Sequence, residues 1–234
     1  MIEAQQPSPI TATATATAVT LAAKPLPISL QQALLWLNHA TLCAPQHMAL
    51  KTTCAHRVNT DTRSLQAGQL FVALQGERFD AHDYLSLAAS QGAVAAIVKY
   101  DHPALAAQVL SSSSSSASNE TSNGARALPF LCVPDTHQAL QDLAASYRQQ
   151  FSIPLVVVVG SNGKTTAKEM IHSIFTAHCA VSGHQYAAHC TQGNFNNDIG
   201  LPLTLLRLSP QHRYSTVELG MNHAGETAVL ATVA

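Results

Sequence analysis

The sequence of 234 residues predicts an α/β protein in two parts, a small mixed α/β domain followed by the beginning of a domain built on a parallel sheet. Short alternating apolar runs and helical patterns between Val58 and Tyr100 indicate the first part. A continuous apolar run, Leu155–Val159, predicts a valine-rich strand buried on both faces of a parallel sheet. This strand leads through a glycine turn into a helical pattern and indicates the second part. Strand, turn and helix in this order are typical of a parallel α/β sheet.

Composition and charge exclude several classes of protein. Hydrophobic residues make up 47% of the chain and charged residues 11%, which is enough apolar material for one large or two modest domains. The formal net charge of -1 provides no diffuse basic field, so we predict no nucleic-acid partner. The cysteines lack a C-x-x-C spacing, and no apolar run approaches the roughly 20 residues of a membrane span. We therefore predict a cytoplasmic monomer that has no signal peptide and does not insert into a membrane.

The N-terminal region divides into an extension and a first helix. Threonine and alanine alternate within residues 1–27, and such a pattern offers little side chain to bury, so we predict a disordered extension there. Ser29 and Gln32 have the spacing of a capping box, which predicts the start of a helix. Its predicted apolar face consists of Leu30, Ala33, Leu34 and Leu37.

The remaining elements of the first domain follow in order. Alternation predicts a strand with Leu70, Val72 and Leu74 on one side, then a helix over 85–91 and a second apolar run over 93–98. A tract of serines predicts a loop insertion over 111–125. After the apolar run at 130–133, Asp135 and Gln138 can cap a helix. The apolar face of that helix is predicted to contain Ala139, Leu140, Leu143, Ala144 and Tyr147. The first domain is thus placed at 28–150 and the second at 151–234.

The glycine turn of the second domain has the pattern of a phosphate-binding loop. It consists of Gly160, Ser161, Asn162, Gly163, Lys164, Thr165 and Thr166. Glycines allow backbone N–H groups to approach phosphates, the following helix N-terminus adds positive potential, and Lys164 supplies a point charge. Thr165 is placed to offer its hydroxyl to Mg²⁺. The sequence therefore predicts a P-loop ATPase domain, in which the helix carries Met170, Ile171, Ile174 and Phe175 on one face.

The loop is shorter than the general P-loop and resembles that of the Mur ligase family, whose members couple ATP cleavage to amide-bond formation. Thr191–Pro202 and Val217–Glu226 resemble the next two signature segments of the branch that adds D-alanyl-D-alanine. In the first domain, Asp61–Arg63 and Gly68–Asp83 are similar to the region that holds the uridine-diphosphate end of the substrate. Four segments in family order are far more specific than one glycine loop.

This resemblance implies a ligase of peptidoglycan precursor synthesis that requires ATP and Mg²⁺. Its substrates would be UDP-N-acetylmuramoyl-tripeptide and D-alanyl-D-alanine, joined through an acyl phosphate with release of ADP and phosphate. Lys164 would be the catalytic residue, and Glu218 would hold Mg²⁺ together with Thr165, because a carboxylate at the end of a strand can reach the phosphate loop.

Four more residues are candidates for contacts with the muramoyl substrate. Asn194 and Asn197 would line the cleft near the peptide carboxylate, although such residues are also ordinary turn formers. Arg63 could hold a diphosphate or a carboxylate bidentately, and Thr62 could donate to a phosphate or a uracil oxygen. Alternatively, Arg63 pairs with Asp61 and only fixes its own loop. His82 and His223 are assigned no chemistry.

Two alternatives remain open from the sequence. The chain could be part of another Mur-type ligase, either diamino-acid-adding or similar to folylpolyglutamate synthases. It could also be a non-catalytic module that binds a UDP-sugar. Because only about 70 residues follow Lys164, fewer than a parallel-sheet ATPase domain usually has, we expect an incomplete domain and an inactive fragment. The second metal site and the amine-binding domain of the family would then lie after Ala234.

Overall fold

The computed structural model describes residues 24–43, 49–105, 128–184, 187–220 and 225–234. Most of the predicted N-terminal extension, the whole predicted serine insertion and His223 lie outside the described residues. No helix within the described ranges combines the length and the apolar character needed to cross a bilayer.

In the part of the chain that the structure describes, the first domain is built on a five-stranded sheet. Its strands, in chain order, are β2 (Thr41–Cys43), β4 (Val58–Asn59), β5 (Leu70–Val72), β6 (Ala95–Lys99) and β7 (Phe130–Val133). The spatial order is β2-β7-β6-β5-β4, in which β2 is antiparallel to β7 and the other pairs are parallel. The two remaining short strands, β1 (Ile28–Ser29) and β3 (Cys54–Ala55), form a separate antiparallel pair. The predicted mixed α/β architecture is confirmed.

Helices cover both faces of this sheet. On one face, α1 (Leu30–Trp36) and α3 (Thr136–Arg148) pack against the side chains that include Leu70, Val72 and Leu74. On the other face, a 3₁₀ helix (Ala81–Tyr84) and α2 (Leu85–Ser90) cover the alternate side chains of the same strands. Successive side chains of a strand point to opposite faces, and the helices bury the side chains on both.

The predicted helix caps are present with one difference. The Ser29 hydroxyl accepts from the Gln32 backbone N–H, and the Gln32 side chain accepts from the Ser29 backbone N–H, which completes the capping box. Asp135 caps α3 alone, while the Gln138 side chain donates instead to Asp142. The predicted apolar face of α3 is confirmed, since all five of its residues are buried.

Within the described residues, the second domain contains three parallel strands in the order β8-β10-β9. They are β8 (Leu155–Val158), β9 (Ala188–Cys190) and β10 (Tyr214–Glu218). Three helices accompany them, α4 (Lys164–Val181), α5 (Gly200–Leu205) and α6 (Glu226–Val233). The predicted order of strand, glycine turn and long helix is confirmed by β8 and α4.

The prediction that the valine strand is buried on both faces is wrong. Val157 is 37% exposed and Val159 48% exposed. Among the described strands β8 pairs only with β10, and α4 packs mainly on β9 and β10, so one side of β8 has no covering layer within the described residues. Met170 and Ile174, which lie on the predicted apolar face of α4, are also exposed.

Helix α3 joins the two domains. It packs against the first sheet on one side and against α5 and α6 on the other, so that one buried cluster runs through both domains. The hydroxyl of Tyr147 accepts from the Leu26 N–H at 2.7 Å and donates to the Leu208 carbonyl at 2.7 Å. Burial raises the pKa of Tyr147 to about 12, which keeps this hydroxyl a donor.

Replacing Tyr147 with phenylalanine is expected to lower the free energy of unfolding by about 1–2 kcal/mol, because two main-chain groups would lose their partner. Urea unfolding of the variant and the wild type would measure this difference. Tyr84→Phe is the matched control, since its ring is 41% exposed and mainly stacks on Phe79. Equal losses in the two variants would contradict the assigned role of the Tyr147 hydroxyl.

Candidate active site

The phosphate loop lies at the carboxyl ends of two neighbouring parallel strands. In the register of the sheet, Glu218 at the end of β10 pairs with Val158 at the end of β8, directly before the loop. Carboxyl ends of parallel strands form the usual edge for ligand binding in α/β proteins. The fold therefore places an acidic side chain beside the glycine turn.

The loop leaves the N-terminus of α4 open. Gly163 has a φ of 75°, a left-handed conformation that favours glycine, and it precedes the 18-residue helix without any side-chain cap. Ser161 and Asn162 are exposed on the loop. Uncapped N–H groups at the start of a long helix are donors suited to phosphate oxygens. Lys164 lies at the same place, and its Nζ donates to the Gly160 carbonyl at 2.8 Å.

Glu218 is buried, with 2% of its surface exposed, and its carboxylate is held at both oxygens. The Thr165 hydroxyl donates to Oε2 at 3.0 Å, and the Asn196 side-chain amide donates to Oε1 at 2.8 Å. Neither donor carries a charge, and none of the ion pairs found within the described ranges involves Glu218. A buried carboxylate with only neutral donors favours the binding of a cation.

The donor set fits Mg²⁺. A hydroxyl oxygen and a carboxylate oxygen are hard ligands of the kind that Mg²⁺ prefers, and Mg²⁺ takes only one or two protein ligands when nucleotide phosphates complete its shell. The structure thus brings together Thr165 and Glu218, the two residues that the sequence predicts as metal ligands.

Sequence reasoning missed the residues that hold Glu218 in place. The hydroxyl of Thr191 accepts from the Glu218 backbone N–H at 2.9 Å, and the Nζ of Lys168 donates to the Thr191 carbonyl at 2.8 Å. Lys168 is only 1% exposed. Its position three residues after Thr165 and four after Lys164 places it on the loop side of the helix, which is a signal that the sequence does contain.

The asparagine-rich segment before α5 contacts the candidate metal ligand through a residue that the sequence analysis did not single out. Asn196, not Asn194 or Asn197, contacts Glu218. The Asn197 side chain accepts from the Gly200 N–H at 2.8 Å and so fixes the start of α5, which is the turn role weighed for it from the sequence. Asn194 is exposed. Substrate contacts of Asn194 and Asn197 stay predictions.

Close packing of Gly220 fixes Asn196. The Gly220 N–H donates to the Asn196 carbonyl at 2.7 Å, and a Cβ at Gly220 would lie 2.8 Å from the Asn196 side-chain oxygen. Gly220→Ala is therefore expected to displace Asn196. The factor by which Mg²⁺ strengthens ATP binding should fall about 10-fold, as is typical when an outer-shell partner is lost. Fluorescence titration with an ATP analogue at several Mg²⁺ concentrations measures this.

Gly76→Ala is the control for Gly220→Ala, because a Cβ at Gly76 would meet its nearest atom, the Phe79 carbonyl oxygen, at an ordinary 3.7 Å. If binding of the ATP analogue depended on Mg²⁺ in the same way in Gly220→Ala and in this control, Asn196 would not be needed to hold Glu218.

The first-domain candidates follow β4 at the carboxyl edge of its sheet. Arg63 binds Asp61 through both carboxylate oxygens, at 2.7 to 3.1 Å, although its side chain is 88% exposed. The hydrogen bonds from Arg63 hold the pKa of Asp61 below its usual value. Thr62 between them is buried. The ion pair that the sequence offered as an alternative is formed, and nucleotide binding by Thr62 and Arg63 stays a prediction.

His82 is part of a satisfied hydrogen-bond network rather than a free ligand. Its Nε2 accepts from the Lys99 N–H at 3.0 Å, so its Nδ1 carries the proton and donates to Asp80 at 2.6 Å. His102 contacts the other oxygen of Asp80. Asp80, His82 and His102 offer ligand atoms within 4.8 Å of one another. However, both nitrogens of His82 already make hydrogen bonds, and burial lowers its pKa. We therefore assign His82 a structural role.

Comparison with known proteins relates both parts of the chain to one family. A family model described as "Mur ligase family, catalytic domain" matches residues 55–148, and one described as "Mur ligase middle domain" matches residues 158–234. The chain belongs to the Mur ligase family.

Its relatives point to one branch of that family. The chain is 44% identical over 170 residues to the UDP-N-acetylmuramoyl-tripeptide--D-alanyl-D-alanine ligase of Haemophilus influenzae, covering 73% of this chain and 32% of that protein. It is 41% identical over 194 residues to the ligase of the same name from Bacillus subtilis, covering 83% and 36%. The chain thus spans about a third of the length of these relatives.

Solved structures show the same similarity. A crystal structure of MurF from Acinetobacter baumannii matches with a TM-score of 0.68 at 31% identity, covering 90% of this chain and 39% of that one. MurF from Thermotoga maritima in complex with ADP matches with a TM-score of 0.55 at 28% identity, covering 76% and 35%.

Proposed function

We propose that this chain carries the ATP site and the uridine-nucleotide site of a ligase that adds D-alanyl-D-alanine to UDP-N-acetylmuramoyl-tripeptide. The observation that carries the proposal is the buried Glu218 carboxylate, which contacts Thr165 at the mouth of an uncapped phosphate loop. The names of the relatives support the choice of substrates. The separate family matches support a first domain at 28–150 for the muramoyl nucleotide and a second at 151–234 for ATP.

The residues of the site have distinct tasks in this reaction. The loop N–H groups and Lys164 bind the ATP phosphates, and Lys164 exchanges its bond with the Gly160 carbonyl for one with a phosphate oxygen. Thr165 and Glu218 would hold Mg²⁺, which when bound neutralises phosphate charge. Carboxylate and triphosphate repel each other, and these preorganised groups offset that repulsion.

The proposed chemistry has two steps. An oxygen of the tripeptide carboxylate attacks the γ-phosphorus of ATP, and the bond from that phosphorus to the β-phosphate oxygen breaks, which gives an acyl phosphate and ADP. The amine of D-alanyl-D-alanine then attacks the acyl carbon, loses a proton, and displaces inorganic phosphate to form the amide. Orientation by Lys164 and the loop amides would serve mainly the first step. The protein is proposed to act as a cytoplasmic monomer, without a nucleic-acid partner.

Calorimetric titration of the chain with ATP and Mg²⁺, and separately with UDP-N-acetylmuramoyl-tripeptide, tests the proposal. Binding of both ligands is the expected result. Binding of the muramoyl nucleotide alone would favour a UDP-sugar-binding module instead, and failure to bind ATP would contradict the assigned phosphate site. UDP-N-acetylmuramoyl-dipeptide is the matched control ligand, because a ligase that extends the tripeptide should bind it more weakly.

A further inference from the structure

Lys168 is a buried cation that the proposed chemistry does not use. It lies in the second turn of α4 and is 1% exposed, among the largest fully buried side chains of the described residues. Lysine is seldom buried unless its charge is paired, so the position needs a reason. Its Nζ makes two contacts, with the Glu169 carboxylate at 2.7 Å and with the Thr191 carbonyl at 2.8 Å.

The two partners of Lys168 differ in their surroundings. The Glu169 side chain is 58% exposed, and its pairing with Lys168 holds the pKa of Glu169 below the usual value. Thr191 is fully buried, at 0% exposure. Glu169 thus compensates the charge from the solvent side, while the contact of Lys168 with the protein interior is made through Thr191.

Thr191 connects Lys168 to the candidate metal ligand. Its carbonyl accepts from Lys168, its hydroxyl accepts from the Glu218 backbone N–H at 2.9 Å, and its own N–H donates to the Thr216 carbonyl at 3.0 Å. Lys168 and Glu218 therefore contact the same residue, and that residue is held at its carbonyl, its hydroxyl and its N–H. Thr191 also begins the segment that carries Asn196, the second donor to the Glu218 carboxylate.

We propose that Lys168 is a positioning residue for the Mg²⁺ site, which acts by fixing Thr191 and through it the Glu218 carboxylate. The inference rests on the proposed function, because it requires that Glu218 bind the metal of a nucleotide complex. Lys168 contacts neither ATP nor Mg²⁺ in this scheme. It fixes the distance between the first turn of α4, which carries Thr165, and the end of β10, which carries Glu218.

The test compares Lys168→Met with the wild-type chain in titrations with a fluorescent ATP analogue. Methionine keeps the length of the side chain and removes the donor and the charge. In EDTA, Lys168→Met is expected to bind the analogue within about 2-fold of wild type, because the phosphate contacts of Lys164 and the loop remain. Mg²⁺ strengthens binding of the analogue, and the Mg²⁺ concentration that gives half of this effect should rise about 10-fold in Lys168→Met. A change of this size is typical when an outer-shell partner of a metal ligand is lost.

Thr191→Val and Thr191→Ser provide an independent pair of variants. Valine matches the shape of threonine but cannot accept from the Glu218 N–H, whereas serine keeps the hydroxyl. Thr191→Val is expected to show the same roughly 10-fold rise in the Mg²⁺ concentration, and Thr191→Ser to remain near wild type. Unchanged Mg²⁺ dependence in Thr191→Val overturns the proposal, whether or not Lys168→Met folds.

Other results separate this inference from the proposed function. If the wild-type chain binds the analogue neither in EDTA nor in Mg²⁺, the proposed function fails and the inference fails with it. If the wild type shows Mg²⁺-dependent binding and Lys168→Met shows the same dependence, only the inference fails. An equal weakening of Lys168→Met with and without Mg²⁺ also overturns it, because Lys168 would then act on the phosphates directly.

Discussion

Replacing Lys164 with alanine is expected to weaken ATP binding by the chain about 100-fold, a loss of about 2.7 kcal/mol. The reason is that Lys164 follows directly on Gly163 at the start of α4, where its Nζ already lies 2.8 Å from a loop oxygen and can move to a phosphate without a change of the backbone. Charge-assisted hydrogen bonds to phosphate are among the stronger polar contacts in proteins. Isothermal titration calorimetry in Mg²⁺ measures the effect.

Lys51→Ala is the control for this experiment. It removes the same charge from an exposed lysine of the first domain, before β3. Its ATP affinity should equal that of the wild type, because an exposed charge distant from the site is screened by salt. A Lys164→Ala chain that bound ATP within about 3-fold of wild type would contradict the assignment of the phosphate loop.

The folded chain is expected to lose stability steeply below pH 6.5, because two histidines of the second domain are buried in neutral form. Burial lowers the pKa of His189 to about 3, and electrostatic repulsion between a protonated His189 and nearby His212, Arg207 and His172 adds to the effect. Burial likewise lowers the pKa of His212 to about 4. The ordinary value of 6.5 applies in the unfolded chain, so the stabilisation is complete above pH 6.5 and is lost as the pH falls toward these folded-state values.

The expected loss from His189 alone is on the order of 3 kcal/mol between pH 6.5 and pH 4. Urea unfolding at a series of pH values would show it, and His189→Asn should flatten the dependence, since an amide can still contact the Ser215 hydroxyl but does not titrate in this range. His184→Asn, at an exposed position after α4, serves as the matched control. A His189→Asn chain with the wild-type pH dependence would show that His189 is not the source of the acid sensitivity.

The order of elements could be predicted from the sequence because local rules decide it. The capping box at Ser29, the apolar face of α3 and the strand before the glycine turn are all patterns within a few residues of one another. The exposure of Val157 could not be predicted, because the same valine run suits a strand covered on both faces and a strand covered on one, and only the packing of helices in space distinguishes them.

The residues of the candidate site likewise fall into those that could be predicted from the sequence and those that could not. The closeness of Thr165 and Glu218 could be predicted from the resemblance to the Mur ligase family, together with the rule that a parallel sheet brings the carboxyl ends of adjacent strands together. Asn196 could not be distinguished from Asn194 and Asn197 by residue type, since the choice depends on the close approach of Gly220. Lys168 was missed because its role depends on a main-chain carbonyl 23 residues away in sequence.

A crystal structure of the chain with Mg²⁺ and a non-hydrolysable ATP analogue would test the central claim most directly. The expected result has the β- and γ-phosphates within hydrogen-bond distance of the N–H groups of residues 160–166, and Mg²⁺ bound to the Thr165 hydroxyl and, directly or through one water molecule, to Glu218. A nucleotide bound elsewhere, or a metal ion that neither Thr165 nor Glu218 contacts, would contradict the assignment of this site.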